Sequence, residues 1–186
     1  MILNNPKKIK SSSGFDAIAQ SVESLISQKS NKKSIFFAEQ SLELSNKSFL
    51  SFVNKPSNNN ATKMLLAANL SGKAINISKT TAPHAISYPF TAIFGINHGH
   101  AVSLFFEKFL RFNYFNLDKS SCNFDLDKRY QIIFDKFKVK NINELCLKIN
   151  FYKKSSGLED NLKKLNINID KNIEKILDGV NPLRLK

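Results

Sequence analysis

The stretch from Lys79 to Leu104, KTTAPHAISYPFTAIFGINHGHAVSL, limits the possible folds of this 186-residue chain more than any other. It holds all three histidines of the sequence, His84, His98 and His100, with Pro83, Pro89, Gly95 and Gly99 among them. Imidazole is the commonest side-chain metal ligand and the usual acid or base near neutral pH. On one straight helix His84 and His98 would stand roughly 21 Å apart at the α-helical rise. Two ligands of one ion lie within about 4 Å of each other. Rings that share an ion therefore require the chain to turn back between them, and Pro89 and Gly95 suit that break.

The rest of the sequence reads as helices. Ser13 with Asp16 three residues later, then Ile18, Val22, Leu25 and Ile26, gives a capped amphipathic helix over about 14–29. A second apolar set, Phe36 to Phe52, ends before Pro56. Asn58-Asn59-Asn60 reads as a loop and N-cap. Ala61 to Ser78 is apolar on most sides and is expected to be a buried helix. Within it Gly72 costs about 1 kcal/mol relative to alanine unless close packing compensates. A helix follows from about Gly99 to Asn113. Asn141 with Glu144 caps another through about Lys153, and short helices are expected near 158–165 and 169–178. Strand alternation, hairpin glycines and internal repeats are lacking, so the fold class is all-α. Residues 1–12 read as a disordered or linker lead-in and 13–186 as one helical domain.

Composition narrows the function. At 42% hydrophobic with sixteen phenylalanines the chain can build a core. No run of 18 apolar residues spans a membrane, and the opening MILNNPKKIKSSSG carries no secretory core. Cys122 and Cys146 lack CxxC spacing, so neither a disulfide framework nor a zinc ribbon is indicated, and a reduced, cytoplasmic location is expected. The formal charge of +13 would suit nucleic acid or an anionic substrate. Its lysines are spread from Lys7 to Lys186 without an arginine cluster, which favours a solvated surface with a modest anion preference. No nucleic-acid or membrane partner is expected. No GxGxxG or GGGS-like loop is present to cradle a dinucleotide pyrophosphate.

The histidine run carries a resemblance. A histidine after small residues, a proline five residues on, and Gly-x-x-His-Gly placing a second histidine fourteen after the first is similar to the metal-binding segment of the iron-containing alcohol dehydrogenases. The upstream Ser13-Gly14-Phe15-Asp16-Ala17-Ile18-Ala19-Gln20-Ser21-Val22-Glu23-Ser24 resembles that family's earlier ligand segment, and Asn181-Pro182-Leu183-Arg184-Leu185 its later part. The resemblance implies the helical metal-binding domain of the dehydroquinate-synthase-like fold, without the N-terminal α/β nucleotide-binding domain. It also implies that the chain is a C-terminal fragment or a split or truncated reading frame.

Carried over residue by residue, the resemblance makes Asp16, Gln20, His84 and His98 the metal ligands. Most relatives place histidine at the position of Gln20, and another histidine stands where this chain has Tyr88. Asp16 and Gln20, four apart on a helix, can reach one ion through a carboxylate and an amide oxygen. Such nitrogen and oxygen donors suit Fe²⁺ or Zn²⁺. His100, two residues beyond His98, points to another side. Lys79, Thr80 and Thr81 offer a cation and two hydroxyls to a substrate, although Lys79 also reads as a helix-end lysine. Phe90 and Phe94 read as core. Asp118, Asp125, Asp127 and Asp170 read as surface or caps.

With its Gln20 variant the chain looks most like a subgroup reducing phosphonoacetaldehyde-type aldehydes. The expected activity is that of an NAD(P)-dependent alcohol/aldehyde oxidoreductase, with NAD(P)H bound only where the N-terminal domain is supplied. The expected partners are a small aldehyde or alcohol, and a separate nucleotide-binding chain or a second copy. The alternatives are a catalytically inactive helical scaffold and a dehydroquinate-synthase-like lyase.

Overall fold

A computed structural model of the chain describes residues 2–182, so Leu183, Arg184 and Leu185 of the C-terminal motif lie outside the described residues. Eight α-helices follow in order: α1 Lys7–Ile26, α2 Lys32–Asn54, α3 Asn58–Ser78, α4 Ala82–Phe94, α5 His98–Tyr114, α6 Leu126–Phe137, α7 Ile142–Ser156 and α8 Ile173–Asp178. Short 3₁₀ turns are interspersed and the described residues contain no strand, as an all-α sequence requires. None of the described helices is long and apolar enough to cross a membrane.

α1 is the axis of the fold, packed by α2, α3, α5 and α6. It begins at Lys7, inside the expected lead-in, because Lys10, Ser11 and Ser12 are already buried against the rest of the domain. Ser13 does not cap it; its hydroxyl donates back to the Ile9 carbonyl within the helix (2.8 Å). Two faces of α1 allow unusually close neighbours. A Cβ on Gly14 would meet the Phe49 ring of α2 at 2.7 Å, and one on Gly99 of α5 would collide with the Ser12 carbonyl. Glycine at these two positions lets α2 and α5 approach the axis.

Serines seal the α1–α2–α3 seam. Ser21 Oγ donates to Ser41 Oγ (2.8 Å), which donates onward to the Ala67 carbonyl (2.8 Å), and Ser78 Oγ donates to Ser24 Oγ (2.8 Å). Small side chains permit the close approach, and each buried hydroxyl has a partner, as burial demands.

Helix starts follow their caps. Asn31 and Ser57 each form a reciprocal capping box, Asp125 caps α6, and Asn141 caps α7 by accepting from the Glu144 amide. The cap of α3 is thus Ser57, and Asn58 to Asn60 already belong to the helix. α3 is not buried all round. It buries the stripe Ala61, Met64, Ala67, Ser71, Ala74 and Ser78 and leaves Leu65 and Leu66 half exposed. Gly72 has open space beside it, so packing does not compensate there. The segment expected to be helical over 158–165 is instead a set of turns, and α6 is a helix that the sequence reading did not assign.

Two apolar clusters result. The larger runs under α1, α2, α3, α5, α6 and α7 around Phe15, Ile18, Phe49, Phe106 and Tyr130. The smaller joins α4 and α5 to the C-terminal segment through Phe90, Ile96, Leu104, Ile167 and Ile176. Phe90 is core as expected, while Phe94 lies at the edge of this cluster. The candidate site sits where α1 meets α4 and α5.

Candidate metal centre

The histidine run folds as its spacing demands, with one difference. Pro89 does not break the chain; it lies inside α4, where it lacks only one hydrogen-bond donor. The reversal is made by Gly95 to Asn97. Gly95 terminates α4 in the left-handed conformation (φ 65°), which glycine adopts without a Cβ penalty. α5 then starts at His98. The two rings, fourteen residues apart in sequence, end with centroids 5.3 Å apart.

Asp16 on α1 completes the group. Its Oδ1 is 3.2 Å from His84 Nε2 and 3.8 Å from His98 Nε2. One donor atom from each of Asp16, His84 and His98 lies within 4.8 Å of the others, so a modest inward movement brings the three within reach of one metal ion. Asp16 Oδ1 and both ring nitrogens of His84 are buried and make no hydrogen bond among the described residues. Asp16 Oδ1 and His84 Nε2, buried polar atoms that face one another without a hydrogen bond, leave a place that a cation can fill when it displaces the ring proton.

The surroundings set the orientation of each of these side chains. Ser87 Oγ donates to the His84 carbonyl (2.7 Å), so its lone pairs face His98 Nδ1 (3.3 Å) and leave His98 Nε2 as the free acceptor toward Asp16. Tyr88 stacks on His98 with centroids 5.1 Å apart. Gln20, one helical turn beyond Asp16, places its Nε2 against Asp16 Oδ2 (2.8 Å) and its Oε1 as acceptor from Ser71 (2.9 Å). In this orientation the amide braces the carboxylate and its oxygen faces away. Turning the amide over exchanges the two atoms, an assignment that rests on the hydrogen-bond network.

One residue was missed by the sequence reading. Glu23 is fully buried, with Oε2 2.7 Å from His84 Nδ1 and 3.1 Å from the Thr81 amide, which donates to it. The available signal was its position. Asp16, Gln20 and Glu23 share one face of α1 at i, i+4 and i+7, and a glutamate within a small-residue and apolar stretch is out of place unless partnered.

Burial opposes a charge on His84, but Glu23 and then Asp16 outweigh it and raise the imidazole to about 10. His98 is displaced the other way, chiefly by burial, with the neighbouring His84 charge adding to the effect. His100 does not join the group. It is buried, and its Nε2 meets the Glu159 carbonyl at 2.6 Å. Of the proposed substrate residues, Lys79 and Thr80 line the open pocket of about 720 Å³ in front of Gln20, His84 and His98, together with Lys29. Thr81 is buried behind them, its amide committed to Glu23. Lys79 Nζ also reaches the Asn76 carbonyl (3.1 Å), the helix-end arrangement.

Residues 10–180 match the family described as the Fe-containing alcohol dehydrogenase family, C-terminal. The chain belongs to the iron-containing alcohol dehydrogenase family. Over 102 residues, 54% of the chain, it is 35% identical to a phosphonoacetaldehyde reductase of Streptomyces viridochromogenes, covering 26% of that protein. Sulfoacetaldehyde reductase from Bifidobacterium kashiwanohense, solved in complex with NAD⁺, superposes with a TM-score of 0.82 at 27% identity over 97% of this chain and 46% of that one. An archaeal halo-thermophilic alcohol dehydrogenase from a Red Sea brine pool shares the fold alone, with a TM-score of 0.83 at 19% identity over 95% of this chain and 45% of that one. This iron-containing alcohol dehydrogenase domain therefore spans less than half the length of these relatives.

Proposed function

We propose that this chain is the metal-binding half of an NAD(P)-dependent alcohol/aldehyde oxidoreductase, with Asp16, His84 and His98 as ligands of Fe²⁺ or Zn²⁺ and Gln20 as the fourth. The convergence of three donors beside a pocket of about 720 Å³, which His84 and His98 line, carries this reading. A bound divalent ion supplies Lewis-acid polarisation of a carbonyl oxygen. Asp16 brings the single formal negative charge of the ligand set, and Gln20 joins it through Oε1 once its amide turns over, exchanging its bond to Asp16 Oδ2 for the ion. Ser87 keeps the Nδ1 proton of His98 on the side away from Asp16. Tyr88, stacked on His98, shields one face of that ring.

The pocket also favours a substrate class. Lys29 and Lys79 stand at the same opening, where their charges attract an anion. An aldehyde bearing a phosphonate or sulfonate fits that arrangement, in keeping with the substrates named for two of its relatives. Hydride transfer requires a positioned nicotinamide. The sequence contains no phosphate-cradling loop, so that cofactor is assigned to a separate α/β domain or chain.

The test is aldehyde-dependent NADH or NADPH oxidation by the metal-loaded chain, alone and co-expressed with the α/β domain of a relative. No turnover alone, with turnover restored by the added domain and removed by His98→Ala, is the expected pattern. Turnover in the absence of any second domain would contradict the division of labour. Restored turnover that survives His98→Ala would contradict the ligand assignment.

A further inference from the structure

We infer that Glu23 is the positioning residue of this centre: it holds His84 with the proton on Nδ1 and presents Nε2 to the position shared with Asp16 and His98. The inference rests on the metal-binding reading above. An imidazole that ligates a metal ion keeps one N–H, and His84 has a carboxylate at each nitrogen: Glu23 Oε2 at 2.7 Å from Nδ1 and Asp16 Oδ1 at 3.2 Å from Nε2. The two acceptors are unequal. Asp16 is partly exposed and already receives the Gln20 amide, whereas Glu23 is wholly buried and its Oε1 makes no hydrogen bond among the described residues. A buried carboxylate has the greater need of a donor, so the proton belongs on Nδ1.

Nδ1 lies 2.7 Å from Glu23 Oε2 yet counts among the buried atoms without a hydrogen bond, so Glu23 holds the ring in this geometry by charge and contact. The same Oε2 accepts the amide of Thr81, the residue immediately before α4. One carboxylate thus fixes both the start of the helix that carries His84 and the orientation of its ring. A carboxylate behind a ligating histidine also raises the basicity of that ligand, and loss of such a partner weakens metal binding roughly 10–100-fold.

The experiment is calorimetric titration of the whole metal-free chain with Zn²⁺, for the native protein, Glu23→Gln and Asp16→Asn. Long-range ¹H–¹⁵N spectra of the three histidines in the Zn²⁺-loaded native protein are recorded beside it. Glu23→Gln keeps the shape and removes the charge, so it is expected to bind Zn²⁺ at least about tenfold more weakly, while Asp16→Asn binds still more weakly. In the spectra His84 is expected to carry its proton on Nδ1.

Failure of the native protein to take up Zn²⁺ would overturn the metal-binding reading itself. Native-like affinity in Glu23→Gln, with Asp16→Asn impaired, would overturn only the role of Glu23. Should Glu23→Gln not fold, the native spectrum decides: a proton on Nε2 of His84 overturns the inference, and a proton on Nδ1 upholds it.

Discussion

Two buried histidines, sixteen residues apart, are treated in opposite ways by the same fold. His84 lies between two carboxylates, makes no hydrogen bond among the described residues, and faces a third ionisable donor. His100 is equally enclosed, but its Nε2 meets the Glu159 carbonyl, and its backbone amide donates to Ser12 Oγ (3.2 Å). Neutral partners satisfy His100 as a neutral side chain that clamps the 157–160 turn to α5. Burial alone therefore does not make a histidine site. Carboxylate donors that converge and stay unsatisfied do.

The largest expected effect separates the two residues directly. Asp16→Asn or His84→Ala lowers affinity for Zn²⁺ or Fe²⁺ more than about 100-fold, since loss of a ligand should exceed the loss of an outer partner. His100→Ala costs about 1–3 kcal/mol of stability through its lost hydrogen bond and packing and leaves metal affinity unchanged. Calorimetric titration and thermal melts read both. A His100→Ala protein with the metal affinity of His84→Ala would erase the distinction.

The second contrast is in pH. The folded value of His84, about 10 in the metal-free chain, lies above its ordinary 6.5. Its contribution to stability is then complete below about pH 6.5 and is lost as pH rises toward 10. Burial lowers His100, so its contribution is complete above pH 6.5 and is lost as pH falls. Melting temperature against pH should therefore lose its alkaline decline in His84→Ala and part of its acid decline in His100→Ala. Unchanged profiles in both variants would contradict this assignment of charges.

A smaller effect concerns the hinge before His84. Lys79 adopts φ 63°, ψ 178°, a region almost confined to glycine. Lys79→Gly is expected to stabilise the chain by about 1 kcal/mol in denaturant melts, the low end of the strain stored by such a residue. It should also weaken attraction of anionic aldehydes to the pocket. The smallest expected change is Gln20→His, which tightens metal binding without altering the fold, because imidazole is a better donor than an amide to either ion.

What could be read from the sequence followed from local chemistry. The reversal between His84 and His98 is implied by their spacing and by Gly95, and the cap at Asn141 announces itself by residue type, whereas Asp125, read only as surface or cap, gave no sign of α6. Pro89 misled because a proline can be accommodated within a helix when only one donor is lost. The true start of α1 was hidden because Lys10, Ser11 and Ser12 look like solvated residues, and only tertiary packing buries them. The meeting of Asp16, His84 and His98 was readable through resemblance and spacing together. Glu23 stood out only as a glutamate on the Asp16 face of α1; its partner, the Nδ1 side of a ring on another helix, is not reported by any pattern along α1.

Crystals of the metal-loaded chain, measured at the absorption edge of Zn²⁺ or Fe²⁺, test the central claim most directly. One anomalous peak per chain is expected, within about 2.0–2.2 Å of Asp16 Oδ1, His84 Nε2 and His98 Nε2. A peak at His100, at the surface lysines' counter-ions, or nowhere in a fully loaded crystal would contradict it.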